Sequence, residues 1–218
     1  MQKYFPILRA CPLFTEIADK SLGGMLGCLG AIAKTYEKNE IIFAEGDPAT
    51  RIGILLSGAA KILREDFDGD RHIVSEVAPA ELFGEAFACA EAILPVSVVA
   101  TEPSEVLLID CRRILHTCCN ACAFHERTIY NLMKILAEKN LQMHKKAEIL
   151  AKRTTREKLL AYLAQMSRQY DSRYFTIPFD RQELADYLEV DRSGLSVEIS
   201  KLRAEGVIDC HKSDFKLL

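Results

Sequence analysis

No stretch of this chain approaches the roughly 18 uninterrupted apolar residues a membrane-spanning helix needs, so no membrane partner is expected. The opening residues Met1-Gln2-Lys3-Tyr4-Phe5-Pro6 lack the apolar run and small-residue cleavage site of a secretion signal. A cytoplasmic location follows, where the eight cysteines stay mostly reduced. A strong charge of one sign is also missing: 28 Lys+Arg face 31 Asp+Glu, a net charge of −3. Residues from Ala151 onward hold 12 basic and 11 acidic groups, the first 150 residues 16 and 20. The C-terminal third is only mildly the more basic part. Nucleic-acid binding must therefore be read from pattern and not from total charge.

Catalytic signatures are scarce as well. Neither a G-x-S-x-G elbow nor a phosphate-binding G-x-x-x-x-G-K-[ST] loop occurs. A β-roll metalloenzyme of the cupin kind needs several histidines and a glutamate on neighbouring strands, but of five histidines only His72 falls in the strand-rich region. No enzyme is expected. The run Cys118-Cys119-Asn120-Ala121-Cys122, with His116 and His125 nearby, has thiols at helical spacing but no second C-x-x-C to complete a metal site. Structural thiols are the expectation and no metal is expected. Cluster ligation, redox sensing, and haem on His116, His125 or His144 stay open.

What is present begins with a change of texture. The first 35 residues read as helical pieces around Pro6 and Pro12, with Leu22, Met25, Leu26 and Leu29 at helical spacing. From Glu40 short β-type runs follow: Ile41–Phe43, Ile52–Leu56, Ala60–Leu63, His72–Val74, Val96–Val99 and Val106–Ile109. Turn signals divide them, Glu45-Gly46-Asp47-Pro48, Ser57-Gly58, Asp68-Gly69-Asp70 and Thr101-Glu102-Pro103-Ser104. Many short, evenly spaced strands predict an antiparallel sandwich or barrel. Beyond Ile114 the period turns helical: Ile129, Leu132, Met133, Leu136, Leu141 and Met143 form an apolar stripe unbroken by Gly or Pro. Its length suits a seam shared with a second copy, with a single long core helix as the alternative.

Residues 151–218 read as a compact unit: a helix from Thr155 through Leu163, a strand at Phe175–Pro178, two helices around Arg181–Leu188 and Arg192–Ala204, and a terminal hairpin broken at Lys212-Ser213-Asp214. The segment Arg181–Ser196 has helix-turn-helix grammar. Leu184 and Leu188 share a face, small Ala185 admits the second helix, and Val190 plugs the turn. Asp191 is the N-cap of the second helix, and Leu195, Ile199 and Leu202 are its buried stripe. Arg192, Ser193 and Ser196 then face outward at the end that enters a major groove. Arg holds guanine bidentately, and Ser reaches bases or phosphates. Arg181 and Gln182 suit phosphate contacts.

At these residues the chain resembles the CRP/FNR family. Lys152–Leu163 and Phe175–Leu188 resemble the family's C-terminal domain. Glu40–Asp47, Leu56–Lys61 and Phe83-Gly84-Glu85 resemble its sensor domain. The resemblance implies an α+β protein: an N-terminal double-stranded β-helix (jelly roll) sensor over residues 1–120, a dimerisation helix over 121–150, and a winged helix-turn-helix over 151–218. It further implies a homodimer on a palindromic site in double-stranded DNA, with RNA polymerase as a further partner. The competing reading is a signalling module that binds a protein partner without reading DNA.

Two departures from the family pattern matter. Val197 stands where the family usually carries a guanine-reading Arg, leaving apolar contact such as a thymine methyl. Glu189 replaces the common turn glycine, a cost of about 1 kcal/mol if its φ is positive. In the sensor, the resemblance implies contacts from the turn Phe83, Gly84, Glu85 and Ala86. Leu94-Pro95 occupies the position of the family's phosphate-holding Arg-Ser pair, and no Arg lies between Arg71 and Arg112. A cyclic phosphate would lack its bidentate partner, so cyclic AMP is disfavoured. An unknown, less charged small-molecule effector is expected against Phe83, Glu85, Val96, Ser97 and, from the long helix, Leu141, with a filled, unliganded sensor as the alternative. The family's oxygen sensors ligate an iron–sulfur cluster through clustered N-terminal cysteines, where this chain has only Cys11 and Cys28.

Overall fold

The structure, a computed structural model, describes residues 2–65, 71–115 and 123–218. The Asp68-Gly69 turn and the Cys118, Cys119 and Cys122 group with His116 lie outside the described residues. The chain divides into two compact units, Met1–Glu138 and Lys139–Leu218, and the division falls within one long helix.

In the first unit, helices α1 (Phe5–Ala10) and α2 (Asp19–Cys28) precede strands β1 (Ile32–Tyr36), β2 (Ile41–Phe43), β3 (Arg51–Ser57), β4 (Ala60–Glu65), β5 (Arg71–Val77) and β6 (Leu82–Phe83). Then come α3 (Glu85–Cys89), β7 (Ser97–Ala100), β8 (Ser104–Asp110), α4 (Cys111–Leu115) and the start of α5 (Ala123–Leu150). The strands form two antiparallel four-stranded sheets, ordered β1-β8-β3-β6 and β2-β7-β4-β5. This is the expected roll.

The central strands of the first sheet, β3 and β8, are buried on both faces, which explains the unbroken apolar run at Ile52–Leu56. The register pairs Ile52 with Ile109 and Ile54 with Leu107. These side chains pack on the helical layer with Leu8, Leu22, Met25, Leu26 and Leu132. The alternate residues Leu55, Val106 and Leu108 point into the roll, against Tyr36, Ile42, Val77, Phe83 and Val98 from other strands. Each such burial contributes about 1.5–3 kcal/mol. Gly53 lies opposite Phe83 in the ladder, and a Cβ there would come within 2.2 Å of the Phe83 ring. Only a residue without a side chain lets that ring lie across β3. The second sheet is one-sided: Ile42, Ala60, Val98 and Ala100 point inward, and Ile41, Lys61, Ser97 and Val99 line an outer groove.

Two elements depart from the sequence reading. β1 falls in the region read as helical: its burial is sparse, with only Tyr36 buried, so it carries no period-2 signal. The apolar stripe of α5 separates into two faces. Leu132 and Ile135 join the core, with Ile129 and Leu136 packed at its edge. Tyr130, Met133, Leu141 and Met143 remain exposed. Asn131, buried on the inward face, donates through Nδ2 to the carbonyls of Leu13 (3.0 Å) and Thr15 (2.9 Å), fixing α5 against the N-terminal segment.

The second unit holds α6 (Thr155–Tyr170), β9 (Tyr174–Thr176), α7 (Arg181–Leu188), α8 (Arg192–Ala204), β10 (Ile208–His211) and β11 (Asp214–Leu217), with sheet order β10-β11-β9. Capping boxes start two of the helices: Thr154 with Glu157 opens α6, and Asp180 with Glu183 opens α7. Leu159, Leu163, Phe175, Leu184, Ala185, Leu188, Leu195, Ile199, Leu202 and Phe215 close one core.

Candidate nucleic-acid interface and sensor turn

The second helix of the motif is positioned from three sides. At its start, the Asp191 carboxylate accepts the Gly194 N–H at 2.7 Å and the Ser193 hydroxyl. Those bonds, the hydroxyl first, hold the Asp191 carboxyl below its usual range. On its inner face Leu195, Ile199 and Leu202 are buried. Toward its far end, Arg156 of α6 donates to Glu198 (3.3 Å) and Glu205 (3.0 Å), tying α8 to α6 across 42 and 49 residues of sequence.

The turn before it carries the expected strain. Glu189 has φ 51° and ψ 58°, left-handed without being glycine. Lys158 of α6 compensates, its ammonium donating to the carbonyls of Leu188 (3.0 Å) and Glu189 (3.4 Å). A cation at the C-terminal end of α7 also complements the helix dipole.

Among the residues that α8 leaves exposed are Arg192, Ser193, Ser196, Val197 and Ser200, with Lys201 and Arg203 toward its far end. The hydroxyl protons here are committed: Ser193 donates to Asp191, Ser196 to the Arg192 carbonyl (3.0 Å) and Ser200 to the Ser196 carbonyl (3.0 Å). In this arrangement the hydroxyls offer lone pairs outward and so suit donors such as base amino groups. Val197 presents an apolar surface, 55% exposed. Arg181, Gln182 and Arg192 meet in one depression with Asp180 and with Lys212 and Ser213 of the β10–β11 hairpin. Sequence reasoning missed Lys212 and Ser213 as site residues. The signal was a lysine at the break of the terminal hairpin. Arg181 does not project freely: its guanidinium lies 5.1 Å over the Phe215 ring, with Nη2 3.5 Å from the Cys210 sulfur. Gln182 donates to Asp186 at 2.8 Å.

In the sensor, Phe83 closes β6, Gly84 makes the turn, and Glu85 and Ala86 open α3. Gly84 has φ +77°, and a Cβ on it would meet the Phe43 ring at 2.8 Å, so both backbone and space require glycine. Phe83 is buried with its ring centroid 5.3 Å from that of Phe43, and Glu85 is buried at 4% exposure. Val96 is buried too. Ser97 lies in the outer groove, on the opposite face of β7 from Val98, where its hydroxyl accepts the Glu45 N–H at 3.0 Å. Leu141 is exposed on α5 in the second unit. Among the described residues no group of three or more His, Cys, Asp or Glu side chains converges on a metal-sized site. No helix among them is long and apolar enough to cross a membrane.

Comparison with known proteins agrees with both halves of this geometry. Residues 33–118 match the cyclic nucleotide-binding domain, and residues 157–218 match the Crp-like helix-turn-helix domain. The chain is 24% identical over 204 residues to the cyclic AMP receptor protein of Thermus thermophilus, covering 92% of this chain and 89% of that one. It is 22% identical over 190 residues to the transcriptional activator protein FnrA of Stutzerimonas stutzeri, covering 85% and 76%. The crystal structure of the Thermus thermophilus catabolite activator protein shares the fold, with a TM-score of 0.57 at 23% identity over 95% of this chain and 93% of that chain. These relatives are regulators and not enzymes. With a cyclic nucleotide-binding domain followed by a Crp-like helix-turn-helix in one chain, this protein belongs to the CRP/FNR family of DNA-binding transcription regulators.

Proposed function

We propose that the protein is a ligand-responsive regulator that binds a two-fold symmetric operator as a homodimer, with α8 in the major groove. The observation that carries this reading is the exposed start of α8. Arg192, Ser193, Ser196 and Val197 share one outward surface there, beside a depression lined by Arg181, Arg192 and Lys212. Arg192 is the base-reading cation. Arg181 and Lys212 attract phosphate, and Gln182 adds a neutral polar contact. Val197 makes apolar contact, replacing a guanine-specific position with one suited to a thymine methyl.

Dimerisation through α5 is supported by Tyr130, Met133, Leu141 and Met143, large apolar side chains left exposed on that helix. The effector meets the Phe83–Ala86 turn with Val96. Phe83 and buried Glu85 supply an apolar wall and a carboxylate, which together suit a small molecule less charged than a cyclic phosphate. Selection of bound duplexes from a random pool, with and without small molecules from cell extract, tests the proposal. A symmetric motif whose enrichment depends on extract supports it. Recovery of no motif in either condition moves the assignment to a module that binds a protein partner.

A further inference from the structure

Two cysteines that the regulator reading does not use face one another in the first unit. Cys89 ends α3, and Cys111 begins α4 directly after β8. Their sulfurs are 3.5 Å apart although the residues are 22 positions apart in sequence. We propose that Cys89 and Cys111 are a disulfide-forming pair, a redox modification site that joins α3 to α4.

Geometry supplies the first argument. A disulfide needs its sulfurs about 2.05 Å apart and its α-carbons within about 7 Å. Sulfurs already in contact need to approach by roughly 1.5 Å, a distance that side-chain rotation can cover. The same two regions are also joined at the surface, where Arg112 of α4 meets Glu91, two residues past α3, at 3.1 Å.

The chemistry of the two thiols differs in the way an attacking and a resolving cysteine require. Cys89 is half-buried and open to small reagents, whereas Cys111 is 1% exposed. The contact with the Cys111 sulfur lowers the Cys89 pKa and so favours thiolate there, while the same contact and burial raise that of Cys111. Elsewhere in this unit, burial pushes the Cys11 thiol up to about 12, leaving it inert, and Cys28 is exposed without a sulfur partner among the described residues.

With hydrogen peroxide as oxidant the steps balance. The Cys89 thiolate attacks one peroxide oxygen, the O–O bond breaks, and the departing hydroxide takes a proton to leave as water, giving a sulfenic acid. The Cys111 sulfur then attacks the Cys89 sulfur. The S–O bond breaks, and the Cys111 proton leaves with the hydroxide as a second water. Two thiols and one peroxide yield one disulfide and two waters. In a reducing compartment such a bond forms transiently and serves as a sensor. Here it would staple α3, the helix that Glu85 and Ala86 open.

The test uses the reduced full-length chain, titrated with substoichiometric hydrogen peroxide, quenched with iodoacetamide under denaturing conditions and mapped by proteolysis. The expected product is a Cys89 peptide joined to a Cys111 peptide, about 2 Da lighter than the two thiol peptides together, formed before Cys28 is oxidised. In Cys111→Ser the link is absent and Cys89 is recovered as sulfenic or sulfinic acid, which confirms Cys89 as the attacking sulfur. Oxidation of wild-type Cys89 to sulfinic acid while Cys111 stays fully alkylatable would overturn the proposal, as would pairing of Cys89 with any other cysteine.

Discussion

The ammonium of Lys158 sits 3.0 Å from the carbonyl oxygen of Leu188, closing the end of α7 just where Glu189 turns left-handed. The two side chains answer the same problem. The turn between the paired helices needs a left-handed residue, and this chain supplies glutamate, at a cost of about 1–2 kcal/mol against glycine. A lysine from α6 then covers the exposed carbonyls. Glu189→Gly is expected to stabilise the C-terminal unit by about 1 kcal/mol. Lys158→Met is expected to destabilise it by about 1 kcal/mol. Urea unfolding of the full chain, followed through the helical signal, should move its midpoint in opposite directions for the two variants.

Gly53 and Gly24 give a second pair of opposite signs. At Gly53 a methyl group would overlap the Phe83 ring at 2.2 Å, inside a packed roll. Gly53→Ala should cost about 1–3 kcal/mol by overpacking and displace the Phe83–Ala86 turn. Gly24 lies within α2 with nothing within 4 Å of an added Cβ. Gly24→Ala should stabilise that helix by about 1 kcal/mol. Thermal unfolding of both variants checks the contrast, and equal effects would mean that Phe83 does not occupy the space over β3.

Arg192 and Arg181 should separate base reading from charge. Arg192→Ala is expected to relax preference at one position of each half-site, with about 1–3 kcal/mol of discrimination lost. Arg181→Ala is expected to weaken binding to all duplexes and to reduce the salt dependence of affinity by about one phosphate contact. Because Arg181 also covers the Phe215 ring at 5.1 Å, Arg181→Lys serves as its companion, keeping the charge while changing the stacking. Competition binding at several salt concentrations measures both effects. Equal, sequence-independent losses for the two alanine variants would remove Arg192 from base reading.

Val197→Arg should restore a bidentate donor on the outward face of α8. The expected outcome is a changed half-site in duplex selection, with guanine enriched at one symmetric position and discrimination there of about 1–3 kcal/mol. An unchanged motif would place Val197 outside the groove.

Much of the C-terminal unit was legible in the sequence because its signals are local. Thr154, Asp180 and Asp191 mark three helix starts through side chains that bond to the backbone three residues on. The stripe Leu195, Ile199, Leu202 follows from helical period alone. The first unit was less legible where tertiary contacts decide. The inward turn of Phe83 depends on Gly53, thirty positions away. Ser97 faces outward because the β7 register sets it beside Leu63 of β4, and neither residue announces that pairing. β1 has too little burial to produce alternation. Lys212 joins the Arg181–Arg192 depression only because the hairpin folds back beside α7 and α8. The approach of Cys89 to Cys111 likewise arises where two short helices from separate parts of the chain meet.

The most direct test of the central claim compares two duplexes built from the selected site, one with both half-sites intact and one with a single half-site scrambled, at one fixed salt concentration. A homodimer reading DNA through paired α8 helices predicts one dimer bound per intact duplex. It also predicts at least a tenfold affinity loss, about 1.4 kcal/mol, on scrambling either half. Equal affinity for the two duplexes, or binding of one chain per duplex, would contradict it.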